Sequence, residues 1–133
     1  MILVKNEDIR KRKFLARSFL GKTIDIVIDR PLGSVHPKYE TMMYSVNYGY
    51  VPNVFSDDGE ELDVYLLGVD VPVTTYRANI IAIIYRLDDI EDKLVAAPEG
   101  ISFTKEEIKR AVAFQEQYFT TEIELYNEGI TKM

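Results

Sequence analysis

The stretch Tyr44-Ser45-Val46-Asn47-Tyr48-Gly49-Tyr50-Val51-Pro52, with Asp57-Asp58-Gly59-Glu60-Glu61-Leu62-Asp63-Val64 close behind it, decides how this chain is read. Its first half lies in a run from Met42 to Val51 that sets aromatic and β-branched residues at strand spacing, and Pro52-Asn53 is expected to end that run. Asp57-Asp58-Gly59 is a turn signal, and Leu62 to Leu67 reads as the next strand. Five of the seven residues from 57 to 63 are carboxylates. Like charges packed this closely resist ionisation unless a cation neutralises them.

Outward from this hairpin the pattern stays mostly β. Thr23 to Asp29 is β-branched and nearly alternating, and Pro31, Gly33 and Pro37 break it into a loop. Ala78 to Arg86 is a nearly continuous apolar strand, expected to be buried on both faces. A polar turn from Asp88 to Asp92 leads into Lys93 to Ala97. Thr104 with Glu107 three residues on forms a capping box for a helix whose Ile108, Val112, Gln115, Phe119 and Ile123 fall at helical spacing, so the helix is expected to reach about Tyr126. Asn6 or Asp8 is expected to cap a basic helical segment over residues 1–22 that Gly21 ends. Short strands followed by one helix give a mainly β fold with α (α+β), a small curled sheet or barrel with the helix packed on it.

Composition excludes several chemistries. The 133 residues, 47% hydrophobic, suit a single domain over 1–133. Cys is absent and His36 is the one histidine, so disulfides, thiolate metal sites, cysteine nucleophiles and multi-histidine zinc sites are excluded. The net charge of -6 argues against nucleic acid or a membrane surface as partner. It is unevenly spread, since residues 5–22 carry +5 and the rest -11. No run approaches the length of a membrane span and no signal-peptide pattern is seen, so the chain is expected to be soluble and cytoplasmic.

Asp58, Glu60 and Asp63 can offer oxygens to one side of the first acidic turn, the donor type that Mg²⁺ and Mn²⁺ prefer. Asp88, Asp89, Glu91 and Asp92 make a second cluster with Lys93 beside it. Two carboxylate clusters and a lysine are the equipment for metal-assisted phosphoryl transfer to water. The competing reading is a pair of solvated acidic turns.

Tyr44 to Pro52, then Asp58-Gly59-Glu60-Glu61-Leu62-Asp63-Val64, then Lys93-Leu94-Val95-Ala96-Ala97-Pro98 together resemble the signature of family I soluble inorganic pyrophosphatases, over about Ile24 to Tyr126. The resemblance implies a five-stranded OB-like barrel with helix and Mg²⁺-dependent hydrolysis of pyrophosphate to two phosphates. It further implies that Asp58 and Asp63 ligate metal, that Glu60 stands where the family's water-activating aspartate does, and that Asp88 or Asp89 with Glu91 fills a second metal patch. Lys93 would bind a phosphate oxygen, and Tyr48 and Tyr118 would hydrogen-bond phosphate. The family's lysine- and arginine-bearing hairpin before the Asn-Tyr-Gly-Tyr motif is missing, and the segment Arg30 to Lys38 is read as its replacement, with Arg30 and Lys38 as phosphate-binding cations. Phe119 stands where the family has a lysine. These departures keep open a non-catalytic phosphate- or nucleotide-binding relative, and a hydrolase of a different phosphoanhydride. A homo-oligomer is expected.

Overall fold

In a computed structural model, which describes residues 14–56, 59–89 and 91–126, five strands close into a barrel and a sixth extends it. In chain order these are β1 (Thr23–Arg30), β2 (Asn47–Phe55), β3 (Glu61–Leu66), β4 (Thr75–Arg86), β5 (Asp92–Ala97), helix α1 (Lys105–Glu116) and β6 (Thr121–Leu125). Neighbours run β1-β2-β3-β5-β4-β6, and a further β1–β4 pairing closes the ring. The barrel with a packed helix is the fold class the sequence led us to expect. Residues 14–17 are helical and Gly21 takes φ +81°, while the expected caps Asn6 and Asp8 lie outside the described residues.

Alternation sorts the side chains into two layers. Ile26, Ile28, Val64, Leu66, Ile80, Ile83, Leu94 and Ala96 fill the barrel interior. Tyr48, Tyr65, Leu67, Ile84 and Val95 face outward and pack under Ile108 and Val112 of α1. Full burial of side chains like these two contributes about 1.5–3 kcal/mol each, which seats the helix. Several of the candidate site residues, Tyr48, Asp63 and Lys93 among them, lie along this outer face.

Two sequence expectations are corrected. Pro52-Asn53 does not end β2, which begins at Asn47 and runs on to Phe55. Asn53 takes φ +64° and the β2–β3 register breaks between Tyr50 and Phe55, so the proline's missing N–H falls at a bulge. Met42 to Val46 instead belongs to a folded-back loop, fastened by hydrogen bonds from Gly33 N to Tyr44 O, Tyr44 N to Ser34 O and His36 N to Met42 O, each 2.8 Å.

The helix stops at Glu116 rather than near Tyr126. β1 covers one edge of β4 only from Thr75 to Asn79, and β6 takes the remaining edge from Ala82 to Arg86. Thr121-Glu122-Ile123-Glu124-Leu125 is β-branched and alternating, and pairing there satisfies backbone groups that a longer helix would leave open.

At the other end of α1 the capping box forms as read: Glu107 N donates to Thr104 Oγ1 at 3.1 Å and Thr104 N to Glu107 Oε1 at 2.9 Å. The Thr104 backbone bond holds the Glu107 carboxyl below its ordinary 4.5. A depressed folded value means that this contribution is complete above pH 4.5 and is lost as pH falls through the lower folded value. Thr104→Ala is expected to cost about 1 kcal/mol at neutral pH, read by urea unfolding, with the deficit narrowing in acid.

Candidate active site

Parallel pairing of β3 with β5 sets Asp63 directly beside Lys93, and β2–β3 pairing sets Tyr48 opposite Tyr65, two residues along the same face. The Lys93 ammonium, almost fully buried, donates to Tyr48 Oη at 2.9 Å, to Glu91 Oε2 at 3.2 Å and to Asp63 Oδ2. Burial, and next the Asp63 charge, pushes the Tyr48 phenol well above its usual range, so it keeps its proton. These side chains form the floor of a cleft of about 340 Å³.

Arg86, at the end of β4, forms the cleft's second wall. Its Nε and Nη2 grip Glu116 of α1 at 2.9 and 2.7 Å, and its Nη1 reaches Glu91 at 3.0 Å and Asp89 at 3.3 Å. Phe119 lies over the guanidinium, 3.7 Å from ring centre to carbon. Burial opposes the charge, but hydrogen bonds and attraction from Glu116 outweigh it and raise the pKa, so Arg86 is a permanent cation. A relay runs behind it. Tyr44 Oη donates to Gln115 at 3.1 Å, Gln115 Nε2 to Tyr65 Oη at 2.7 Å, and Tyr65 Oη to Glu116 at 2.5 Å.

Of the residues singled out in the sequence, Tyr48, Asp63, Lys93, Glu91, Arg30 and Tyr118 line the cleft, joined by His36 and Asp29. Burial raises the Asp29 carboxyl from its ordinary value, partly offset by Arg30. Lys38 and Glu60 are exposed and stand outside the cleft lining. Asp88 accepts from Thr120 N at 3.1 Å, which ties the turn to the residue just before β6, and Asp89 pairs with Arg86. Asp58 lies outside the described residues.

Arg86 and Glu116 escaped the sequence reading, although both left a signal. Arg86 is a charge closing an apolar strand, and Glu116 continues the spacing of Ile108 and Val112 into the buried stripe.

The cleft suits a hard cation at one place. Asp63 and Glu91 already converge on a single positive centre, the Lys93 ammonium. Mg²⁺ is commonly held by one or two carboxylates, with water and phosphate oxygens completing its shell. Among the described residues no three ligand-type side chains group closely enough to hold a metal ion unaided.

The family model for inorganic pyrophosphatase matches residues 22–128. Among curated proteins, the chain is 39% identical over 79 residues to an inorganic pyrophosphatase of Saccharolobus solfataricus, covering 56% of this chain and 42% of that one. It is 27% identical over 107 residues to one of Rickettsia prowazekii, covering 65% and 62%. The chain thus spans about two fifths to three fifths of the length of such relatives. Among solved structures, the inorganic pyrophosphatase of Ehrlichia chaffeensis superposes with a TM-score of 0.63 at 18% identity, covering 81% of this chain and 88% of that one. That of Neisseria gonorrhoeae gives 0.60 at 22%, covering 81% and 85%. These likenesses carry the fold, and the model match over most of the length carries the family: the chain belongs to the inorganic pyrophosphatases.

Proposed function

We propose that this protein hydrolyses inorganic pyrophosphate to two phosphates with the help of Mg²⁺, for which Mn²⁺ can substitute. The observation that carries the reading is the convergence of Asp63, Glu91 and Tyr48 on Lys93 in a cleft that also presents Arg30 and Arg86. Asp63 and Glu91 would hold the ion, with Asp58 and Glu60, close before Asp63 in the sequence, as further oxygen donors. When bound, a divalent ion supplies Lewis acidity at phosphoryl oxygens and a water acidic enough to attack near neutral pH. Lys93 and Arg30 balance substrate charge, the Tyr48 phenol donates a hydrogen bond to a phosphoryl oxygen, and Tyr118 closes the rim. Arg86 keeps Glu91 aimed into the cleft.

The reading is tested by phosphate release from pyrophosphate. Release is expected with Mg²⁺ and should fall to background with a chelator. Absence of release under every metal condition would overturn hydrolysis. A binding role without turnover is the second reading, favoured by one observation: Arg86 already occupies Asp89 and Glu91, carboxylates that a second ion would need. Pyrophosphate that binds and is returned intact would select it.

Assembly into a homo-oligomer and a cytoplasmic setting complete the proposal. No helix among the described residues is long and apolar enough to cross a membrane. Sedimentation velocity checks the assembly.

A further inference from the structure

A groove of about 700 Å³ opens beside the cleft, and Tyr39, Met42, Tyr118 and Phe119 line both, so the two spaces adjoin across these side chains. The cleft presents three cations, whereas no charged side chain among the described residues lines the groove. Tyr39, Met43 and Tyr118 there are 57%, 60% and 68% exposed, large side chains held in water next to the cleft. Pyrophosphate alone would touch little of this. Charge points the same way. Arg30, Arg86 and Lys93 are matched in number by Asp29, Asp63 and Glu91 in the cleft lining, so a ligand whose phosphates lie there gains from contacts made beyond them. A ligand that draws part of its affinity from a flat aromatic ring matches the combined space better, and that space is of the size that drug-sized ligands fill.

We infer that the groove is a base-binding subsite and that the site takes nucleoside 5′-polyphosphates, phosphoanhydride in the cleft and base among Tyr39, Met43 and Tyr118. This rests on the hydrolase reading above. The reaction balances without another reactant. Water oxygen bonds to the terminal phosphorus, and the bond from that phosphorus to the bridging oxygen breaks. The bridging oxygen leaves with the nucleoside part, one water proton stays on the released phosphate and the other passes to solvent.

The test compares two uncleavable probes that share a P–C–P core, α,β-methylene-ADP and methylenediphosphonate, by calorimetry with Mg²⁺. The nucleotide is expected to bind about tenfold tighter, the scale of stacking one base on aromatic side chains. Met43→Glu places a charge in the groove alone and should remove that advantage while leaving methylenediphosphonate unchanged. Thr41→Glu serves if the first variant does not fold. Equal binding of the two probes, or equal weakening of both by Met43→Glu, would overturn the subsite. So would a changed sedimentation coefficient with unchanged nucleotide affinity, which would make the groove a contact between copies. Cleavage of pyrophosphate without any nucleotide advantage removes this inference alone. Failure to bind methylenediphosphonate or to cleave pyrophosphate removes the hydrolase reading beneath it.

Discussion

Arg86→Met is expected to lower the unfolding free energy by about 3–5 kcal/mol, the cost of leaving one partner of a buried ion pair behind. The Arg86 and Glu116 side chains are only 4% and 5% exposed, and the guanidinium supplies two of the hydrogen bonds that compensate that carboxylate. Methionine keeps the stem volume and the packing against Phe119, so what is lost is charge and donors. For a chain of this size the loss corresponds to a melting temperature roughly 10–15 °C lower. Removing both partners should be far milder, because a well-packed apolar pair avoids the desolvation of both ions. Arg86→Met with Glu116→Met is therefore expected to recover most of the deficit. Thermal melts of the two variants decide the matter: a single variant that melts with the parent would mean that the pair does not fasten α1 to the barrel.

Asp63→Asn is expected to reduce phosphate release from pyrophosphate by at least about a hundredfold, since changes only at the supporting groups of a metal site cost about 10–100-fold. The asparagine keeps shape and still offers a carbonyl oxygen to Lys93. Stability should fall by only about 1 kcal/mol, the difference between a charged and a neutral acceptor. Steady-state kinetics and urea unfolding on the same preparation separate the two effects. Full activity in Asp63→Asn would remove the carboxylate from the mechanism. Loss of activity in step with loss of fold would leave Asp63 a purely structural role.

Local patterns in the sequence were enough where one strand or one cap decides the outcome. β1, β3 and β5 follow from alternation or apolar runs bounded by turn residues, and the Thr104–Glu107 box forms as its spacing requires. Long-range pairing was invisible. Ile123 fits a helical stripe and a strand equally well, and the open half of β4's edge makes it a strand. Within the site, Asp63, Lys93 and Tyr48 were legible because a motif carries them. Arg86 and Glu116 were not, because a buried charge is tolerable only with its partner and these two are 30 residues apart. Lys38 and Glu60 are exposed and are not among the residues that line the cleft, so their place at the site rests on their neighbours in the chain alone.

Gly49 of β2 lies tight against β1, and a Cβ there would come within 2.7 Å of the Val27 carbonyl carbon and 2.8 Å of Ile28 Cα. Asn47 spends its amide on backbone groups, accepting from Leu32 N at 2.9 Å and donating to Val71 O at 2.9 Å. Within Asn47-Tyr48-Gly49-Tyr50, Tyr48 is thus the residue whose hydroxyl reaches Lys93 in the cleft, while Asn47 fastens the loops that follow β1 and β3 and Gly49 lets β2 lie close against β1. A barrel of this kind that had given up catalysis altogether would still need both. The motif is therefore a detector of architecture, and a survey that counted enzymes by it would be counting barrels; the pairing state of Asp63, Glu91 and Lys93 is the feature that carries news about chemistry.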